Sequence, residues 1–380
     1  MPLVSLLVPI YNVERYLEEC LESARTQSLK DIEVICINDG STDGSRQIIQ
    51  RFLDADPRFC VIDKPNSGYG ASMNQGLHAA TGDYVAILES DDVLEPGALE
   101  MLHDLAIAYE VPVVKADFQL YWSANERLVP FNFVKRQWEG KAMSPQADWE
   151  VFYRKPSIWS ALYERAFLER NGIEFLETPG AAYQDASFNF KVWACAPKAA
   201  FTTRPVIRYR QDNEQSSVNS PGKVFCVVDE YAEMQRFLDA RPSLRKPLQP
   251  VLERMKYDTY MWNFERLDDS LKDGFVQHAS NEFKQDLHDG KVDLALFEPW
   301  AEADLFTLVN TPDDFSKNRS VTVPSGYLNV VRHYYRVGGV PLVAKMVNWR
   351  LRKKVAQHTS ERNEQQTADQ HATHVRHGRH

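Results

Sequence analysis

Three acids in four residues close an apolar run: Glu89, Ser90, Asp91 and Asp92 follow Tyr84 to Leu88. Carboxylates this close repel one another and are costly without a cation. Oxygen-only ligands favour Mg²⁺ or Mn²⁺ over Zn²⁺, so Glu89, Asp91 and Asp92 are the candidate metal ligands. Such a cation would bridge to an anionic ligand and stabilise developing negative charge on it. The alternative is a solvated acidic turn that caps the following helix. A second pair, Asp39 and Asp43, lies on the glycine-bearing run Asp39-Gly-Ser-Thr-Asp-Gly. A carboxylate there can accept hydrogen bonds from a base or ribose. Asp39-Gly40 could also be a plain turn and Asp43 a helix cap. For Asp39 the ligand reading is preferred; for Asp43 both stay open.

The elements that must position these residues alternate. Val4 to Ile10, Ile32 to Asn38, Phe59 to Asp63 and Tyr84 to Leu88 are strand-like runs. Between them, Glu14 to Gln27, Ser45 to Leu53 and Ser72 to Ala80 have helical spacing. Strands joined by helices imply a parallel sheet covered on both faces. Ligands bind beyond the carboxyl ends of such strands. That places the site at Pro9 to Asn12, Asn38 to Asp43, Asp63 to Gly70 and Glu89 to Asp92. Ala98 to Ala108 reads as a further helix and Pro112 to Leu120 as a strand. From Val224 the chain is mostly helical, through Tyr231 to Phe237, Leu248 to Phe264 and Phe275 to Leu287.

The ordered set VSLLVPIYN (4–12), INDGSTDGS (37–45), NSGYGASMNQGL (66–77) and GDYVAILESDD (82–92) resembles family 2 glycosyltransferases. The resemblance covers about residues 3 to 215. It implies an α/β fold of GT-A type, a Rossmann-like nucleotide-diphospho-sugar transferase sheet, with a mainly helical C-terminal region. It implies inverting transfer from a nucleotide-sugar donor, with a lean to uridine, and Mn²⁺ or Mg²⁺ as cofactor. The residue at Asp39 would contact the uracil and Tyr11 would pack near the base. The implied donor-binding set is Pro9, Tyr11, Asn12, Asp39, Asn66, Gly68, Asn74, Asp91 and Arg210. Gly68 and Gly70 permit close backbone approach to a ligand. Glu89 stands where the family's DxD-type motif usually has its first Asp, which ranks Asp91 and Asp92 above it. Met73 stands where an Arg often touches the diphosphate, and core packing accounts for it.

Ile158 to Arg165, Gly172 to Phe175 and Ala182-Tyr-Gln-Asp185 resemble the family's acceptor half, where an acidic pair supplies the base. Inverting transfer needs a carboxylate at the acceptor hydroxyl, and Asp185 is the candidate catalytic residue; its alternative is another N-cap. Tyr209-Arg210 matches a family Y-R pair, with Ser216 and Ser217 fitting a following Ser loosely. Arg210, or Arg208, would contact phosphate; a surface ion pair is the alternative.

From Tyr327 to Ala356 there are seven basic residues and no acid: Arg332, Arg336, Lys345, Arg350, Arg352, Lys353 and Lys354. Gly338-Gly339 and Pro341 should break the stretch into two helices. A basic, aromatic, amphipathic stretch suits peripheral contact with an anionic membrane, or a packed helix pair with a solvated basic face. From Ser360 the chain is polar and expected to be disordered; His371, His374, His377 and His380 there carry no assigned function. The expected divisions are 1–215, the transferase domain; 216–325, helical; 326–357, the basic segment; and 358–380, the tail.

Composition sets outer bounds. The chain has 380 residues, net charge −9 and 43% hydrophobic residues, which excludes collagen, a wholly disordered chain and a disulfide miniprotein. Net acidity argues against a nucleic-acid partner. Five cysteines with no CxxC pair argue against a zinc site or disulfide framework and fit a reducing cytoplasm. Met1 to Tyr11 has no basic leader and reads as a buried strand. No run approaches ~18 apolar residues. The reaction expected is glycosyl transfer to a saccharide or lipid-linked acceptor in bacterial cell-surface or exopolysaccharide assembly. A nucleotidyltransferase would show a Gly-rich basic loop after the first strand, and Tyr-Asn-Val-Glu-Arg follows Ile10 instead. A catalytically inactive sugar-nucleotide-binding scaffold is the binding-class alternative, prompted by Glu89 and Met73.

Overall fold

A computed structural model describes residues 1–180, 183–213, 224–319, 328, 331–332, 335 and 338–351. The expectations at Ala182, Ser216, Ser217, most of the basic segment and the tail beyond 351 lie outside the described residues. The chain forms two compact units, Met1–Met255 and Lys256–His380.

The first unit is built on ten strands, all in one sheet. Its leading half follows the alternation in the sequence: β1 (Val4–Ile10), α1 (Glu14–Arg25), β2 (Ile32–Asn38), α2 (Ser45–Ala55), β3 (Phe59–Asp63), α3 (Tyr69–Ala79) and β4 (Tyr84–Ile87). β1 is buried at every residue, as a strand covered on both faces must be. Helix α1 turns Tyr16, Leu17, Cys20, Leu21 and Ala24 inward.

The second half comprises β5 (Val93–Leu94), α4 (Ala98–Tyr109), β6 (Val113–Trp122), β7 (Arg127–Phe131), β8 (Ala142–Met143), β9 (Ala161–Glu164), α5 (Arg165–Asn171), α6 (Gln184–Cys195) and β10 (Ala199–Arg210). Strand order is β3-β2-β1-β4-β9-β6-β10-β5, with β7 on β6 and β8 on β10. The parallel expectation holds for β1 to β4. Beyond β4 the sheet is mixed: β9 runs antiparallel to both β4 and β6, while β6 and β10 are parallel. The irregular region between β6 and β9 lacks the helical crossover that enforces parallel pairing.

The order reverses at β1, with β2 and β3 on one side and β4 on the other. Such a reversal opens a crevice beyond the strand ends. The β1–β4 ladder stops at Leu7↔Ile87, whereas β1–β2 continues to Ile10↔Asn38. Pro9, which has no N–H to donate, therefore sits where one flanking strand has ended. Helix α7 (Cys226–Asp239) completes the unit, and α8 (Pro242–Arg266) leads out of it.

The second unit holds the end of α8, α9 (Asp269–His288), α10 (Pro299–Asn310), α11 (Pro312–Arg319) and a helix over 338–351. Tyr260 packs edge-on against Phe275 and Phe283, and Phe264 meets Phe315. Asp286, buried among these helices, is bound by Lys256 and Lys291. Gly339 has φ +63°, a left-handed turn at the Gly-Gly pair. Leu342 and Met346 face inward on the helix that follows.

Candidate active site

The loops after β1 and β2 are laced together. Asn12 takes φ 49°, a left-handed conformation that Asn tolerates. Its Oδ1 accepts from Thr42 N at 2.7 Å, and its own N–H donates to Ser41 Oγ at 3.1 Å. Asp43 accepts from Glu14 N and Ser45 N, both at 3.0 Å. That settles its open reading as a local brace. Tyr11 is 51% exposed at the mouth of this web, available to a flat ligand.

Asp39 is buried at the end of β2. Its carboxylate accepts from Ser67 N at 2.8 Å, Gly68 N at 3.1 Å and the Lys64 ammonium. Lys64 also donates to Ser72 Oγ at 3.0 Å. Asp39 thus shapes the loop that leads into α3, with Asn66 exposed on it.

The glycines of that loop admit protein where a ligand was expected. A Cβ at Gly68 (φ +92°) would lie 2.8 Å from Thr178 O and 2.9 Å from Gly180 N, and one at Gly70 would collide with Leu176 O. Tyr69 N donates to Gly180 O at 2.9 Å. Asn74 is equally committed: Nδ2 donates to Phe175 O and Glu177 Oε1, both at 3.0 Å, and Oδ1 accepts from Phe175 N at 2.8 Å. Gly68 and Asn74 were expected at the donor and lie in the seam that binds α3 to segment 175–180. Met73 is fully buried core.

Three acids stand at the end of β4 in three different environments. Glu89 accepts from Tyr69 Oη at 2.7 Å; burial, with Asp91 and Asp185 adding to it, pushes its carboxyl up to about 8 against the help of that bond. Asp91 is half-buried and accepts from Asn213 Nδ2 at 2.8 Å through Oδ2. Asp92 is 0% exposed. Its Oδ1 accepts from Arg210 N at 2.8 Å, while its buried Oδ2 has no partner among the described residues. Burial raises its carboxyl well above the carboxylate range.

Arg210 was expected at a phosphate or in a surface ion pair; it makes an ion pair that is buried on its own side. Its side chain is 1% exposed. It donates to Asp91 O at 2.6 Å and Glu19 Oε2 at 2.7 Å, between the Tyr16 and Tyr121 rings. It fixes the acidic turn. Arg208 is held by Glu95 at 2.8 Å.

Asp185 lies in the first turn of α6, whose N-cap is Tyr183 in a left-handed conformation (φ 64°). Burial pushes its carboxyl up to about 6, opposed by Lys155, the amides of Asp185 and Ala186, and Lys115. Tyr69 feels both Glu89 and Asp185, and Tyr209 feels Asp92, Asp91, Glu89 and Asp185. The expected metal-side acids and the expected base thus share one electrostatic cluster.

No three His, Cys, Asp or Glu side chains converge as a preformed metal cage among the described residues. The residues fit a divalent cation in another way. Mg²⁺ commonly takes one or two protein carboxylates and completes its shell with phosphate and water oxygens. Asp91, half-buried with one oxygen uncommitted, offers that, with Glu89 beside it. Asp92 is fully buried, with Oδ1 bonded to the amide of Arg210 on β10.

Reading by motif passed over Lys64, Tyr69 and Lys155. Lys155 precedes Pro156, and its ammonium lies 4.2 Å above the Tyr209 ring. No contiguous motif marks it; the Lys-Pro-Ser-Ile-Trp run alone hints at a side chain set against aromatics.

An α/β sheet with this strand order and an acidic turn at the reversal defines a nucleotide-sugar transferase scaffold of GT-A type. The model for glycosyl transferase family 2 matches residues 5–160. The chain is 30% identical over 242 residues to the uncharacterized glycosyltransferase EpsJ of Bacillus subtilis, covering 62% of this chain and 68% of EpsJ. It is 33% identical over 211 residues to the putative glycosyltransferase EpsH of the same organism, covering 55% of this chain and 61% of EpsH. It is 29% identical over 215 residues to glycosyltransferase GlyA of Streptococcus pneumoniae, covering 54% of this chain but 30% of GlyA. It thus spans less than two thirds of EpsH and of GlyA. In fold it is similar to S. aureus TarS 1-349 in complex with UDP-GlcNAc, with a TM-score of 0.66, 18% identity, and coverage of 84% of this chain and 90% of that one. This chain belongs to glycosyltransferase family 2. No disulfide joins cysteines among the described residues, and no described helix is long and apolar enough to cross a membrane.

Proposed function

We propose that this chain is an inverting glycosyltransferase that moves a sugar from a nucleotide-diphosphate sugar, a UDP-sugar first, to a saccharide or lipid-linked acceptor in cell-surface polysaccharide assembly. The observation that carries it is the meeting of Glu89, Asp91 and Asp92 at the end of β4 with Asp185 at the start of α6, in the crevice at the strand reversal. The TarS structure, which shares the fold and holds UDP-GlcNAc, makes a UDP-sugar the first donor to try. EpsH, EpsJ and GlyA, all named as bacterial glycosyltransferases, support the bacterial setting.

In this mechanism Tyr11, Asp39 and Asn66 border the nucleoside. Asp91, with Glu89, would hold Mg²⁺ or Mn²⁺, which when bound neutralises the diphosphate. Asp185 takes the proton of the acceptor hydroxyl as that oxygen attacks the anomeric carbon and the bond to the diphosphate breaks. A carboxyl near pH 6 suits a general base at neutral pH. Tyr69 and Arg210 keep the acidic turn in place, so orientation is set before the substrate arrives. The exposed Val340, Val347 and Leu351, with the basic residues of 327–356, fit peripheral contact with an anionic membrane.

Thermal shift tests the reading. UDP, GDP, dTDP and CDP sugars are added with and without Mn²⁺ or Mg²⁺. A metal-dependent rise with one nucleotide class is expected, about 2.7 kcal/mol at a hundred times the Kd. No rise with any of them, in folded protein, overturns the proposal. Turnover lost in Asp185→Asn with donor binding kept separates an enzyme from an inactive scaffold.

A further inference from the structure

Among the described residues, several lysines of the first unit are held by protein oxygens, and Lys155 is not. Lys64 donates to Asp39, Lys115 to Ser157, Lys135 to Glu150 and Lys191 to Glu233. The Lys155 ammonium donates to no oxygen among the described residues. It stands instead over an aromatic wall, 4.2 Å from the Tyr209 centroid, 5.8 Å from Phe118, 5.9 Å from Phe131 and 6.0 Å from Trp159.

The wall is rigid. Trp159 stacks on Tyr209 at 4.8 Å, Phe118 stacks on Phe131 at 4.4 Å, and Phe118 meets Trp159 edge-on at 4.5 Å. The backbone is anchored as well: Ser157 N donates to Lys155 O at 2.7 Å, and the Ser157 hydroxyl accepts from Lys115 at 2.9 Å. Lys155 itself is exposed to solvent.

Its neighbours set the direction. The charges that support the ammonium against partial burial are Asp185 first and Asp92 second. Both act through the field alone, since neither makes an ion pair with it. A cation that faces a carboxylate across a gap, with its three donors unused, is poised for an anion that enters between substrate and wall. In a single displacement the base and the leaving group lie on opposite faces of the anomeric carbon. A group beside Asp185 is therefore on the acceptor side.

Resting on the glycosyltransferase reading, we infer that Lys155 and the Tyr209–Trp159 wall form an acceptor subsite for an oxyanion, so the acceptor carries a phosphate or carboxylate close to the hydroxyl that Asp185 deprotonates. The aromatic faces pack the sugar and the ammonium takes the anion as a charge-assisted hydrogen bond. Lys155 is thus a specificity residue that selects charged acceptors over neutral ones.

Lysine signals in ¹³C-methylated protein test this, because methylation keeps the charge. The Lys155 signal is assigned by its loss in Lys155→Arg and, should that variant fail to fold, in Lys155→Gln. Inorganic phosphate is then titrated without and with saturating nucleoside diphosphate and Mg²⁺. The expected result is a saturable shift of the Lys155 signal under both conditions. No shift overturns the inference. A shift that the nucleotide abolishes also overturns it, by assigning Lys155 to the leaving diphosphate. If no nucleotide binds at all, the glycosyltransferase reading fails, and the phosphate titration still reports on Lys155 separately. With matched acceptors compared at a pH well above the acid limb, Lys155→Met should raise KM about tenfold more for those bearing phosphate or carboxylate than for neutral ones, the size of one charge-assisted bond.

Discussion

The two halves of the first unit handle charge in opposite ways. On the loops after β1 and β2 the charges are committed before any substrate arrives: Asp39 with Lys64 and Asp43 with two amides. At the start of α6 and on the aromatic wall two are left open: Asp185, half-buried, makes no ion pair among the described residues, and Lys155 rests on rings. A committed charge shapes a loop. An open charge in a partly buried place is costly unless a substrate completes it. The donor side is therefore read as a preformed mould, the acceptor side as the place where reactivity and selectivity are kept.

The contrast can be broken by substitution. Asp185→Asn should have the largest effect, a loss of ~10²–10⁴ in kcat, with the donor-induced thermal shift retained. Equal loss of donor binding would erase the distinction between the halves. In the wild type, activity should fall as pH drops through about 6, because the base must be ionised to accept a proton. Since Lys155 opposes the rise of that carboxyl, Lys155→Met should move the acid limb of kcat/KM to higher pH.

Asp91→Asn should come next, removing the metal-dependent part of the donor-induced shift and about 10² in turnover, as for the loss of one electrostatic contact to a departing group. A metal dependence left intact would shift the cation site away from the end of β4.

Asn74→Ala tests the seam. It strips three hydrogen bonds from a buried position and should cost about 1–3 kcal/mol in denaturant unfolding. The smallest effect belongs to Arg46→Ala, whose partner Asp63 is exposed at the end of β3; a loss below about 1 kcal/mol is expected.

What the sequence made legible was contiguous. The strands and helices to Ile87 follow short-period patterns, and the acidic turn and Asp39 sit at strand ends where a local motif announces them. The place of Asn74 in the seam was not legible because its partners, Phe175 and Glu177, lie about a hundred residues further on. The burial of Arg210 between Tyr16 and Tyr121 was not legible because it is set by packing among three distant elements. Lys155 escaped notice because the wall beneath it is assembled from β6, β7, β10 and the turn before β9. The mixed order of strands beyond β4 was hidden for the same reason: without regular crossovers, spacing in sequence says little about neighbours in space.

The seam between α3 and segment 175–180 also bears on how such enzymes can be recombined. Gly68, Gly70 and Asn74 are cut to fit one particular backbone, and that backbone leads straight into the helix that carries Asp185. A chimera that imports a new acceptor half at residue 95 or 120 would join foreign peptide to these three positions and force steric or polar mismatch there. Exchange of specificity should succeed when 66–77 and 172–195 are transplanted as a matched cassette, and fail when either travels alone.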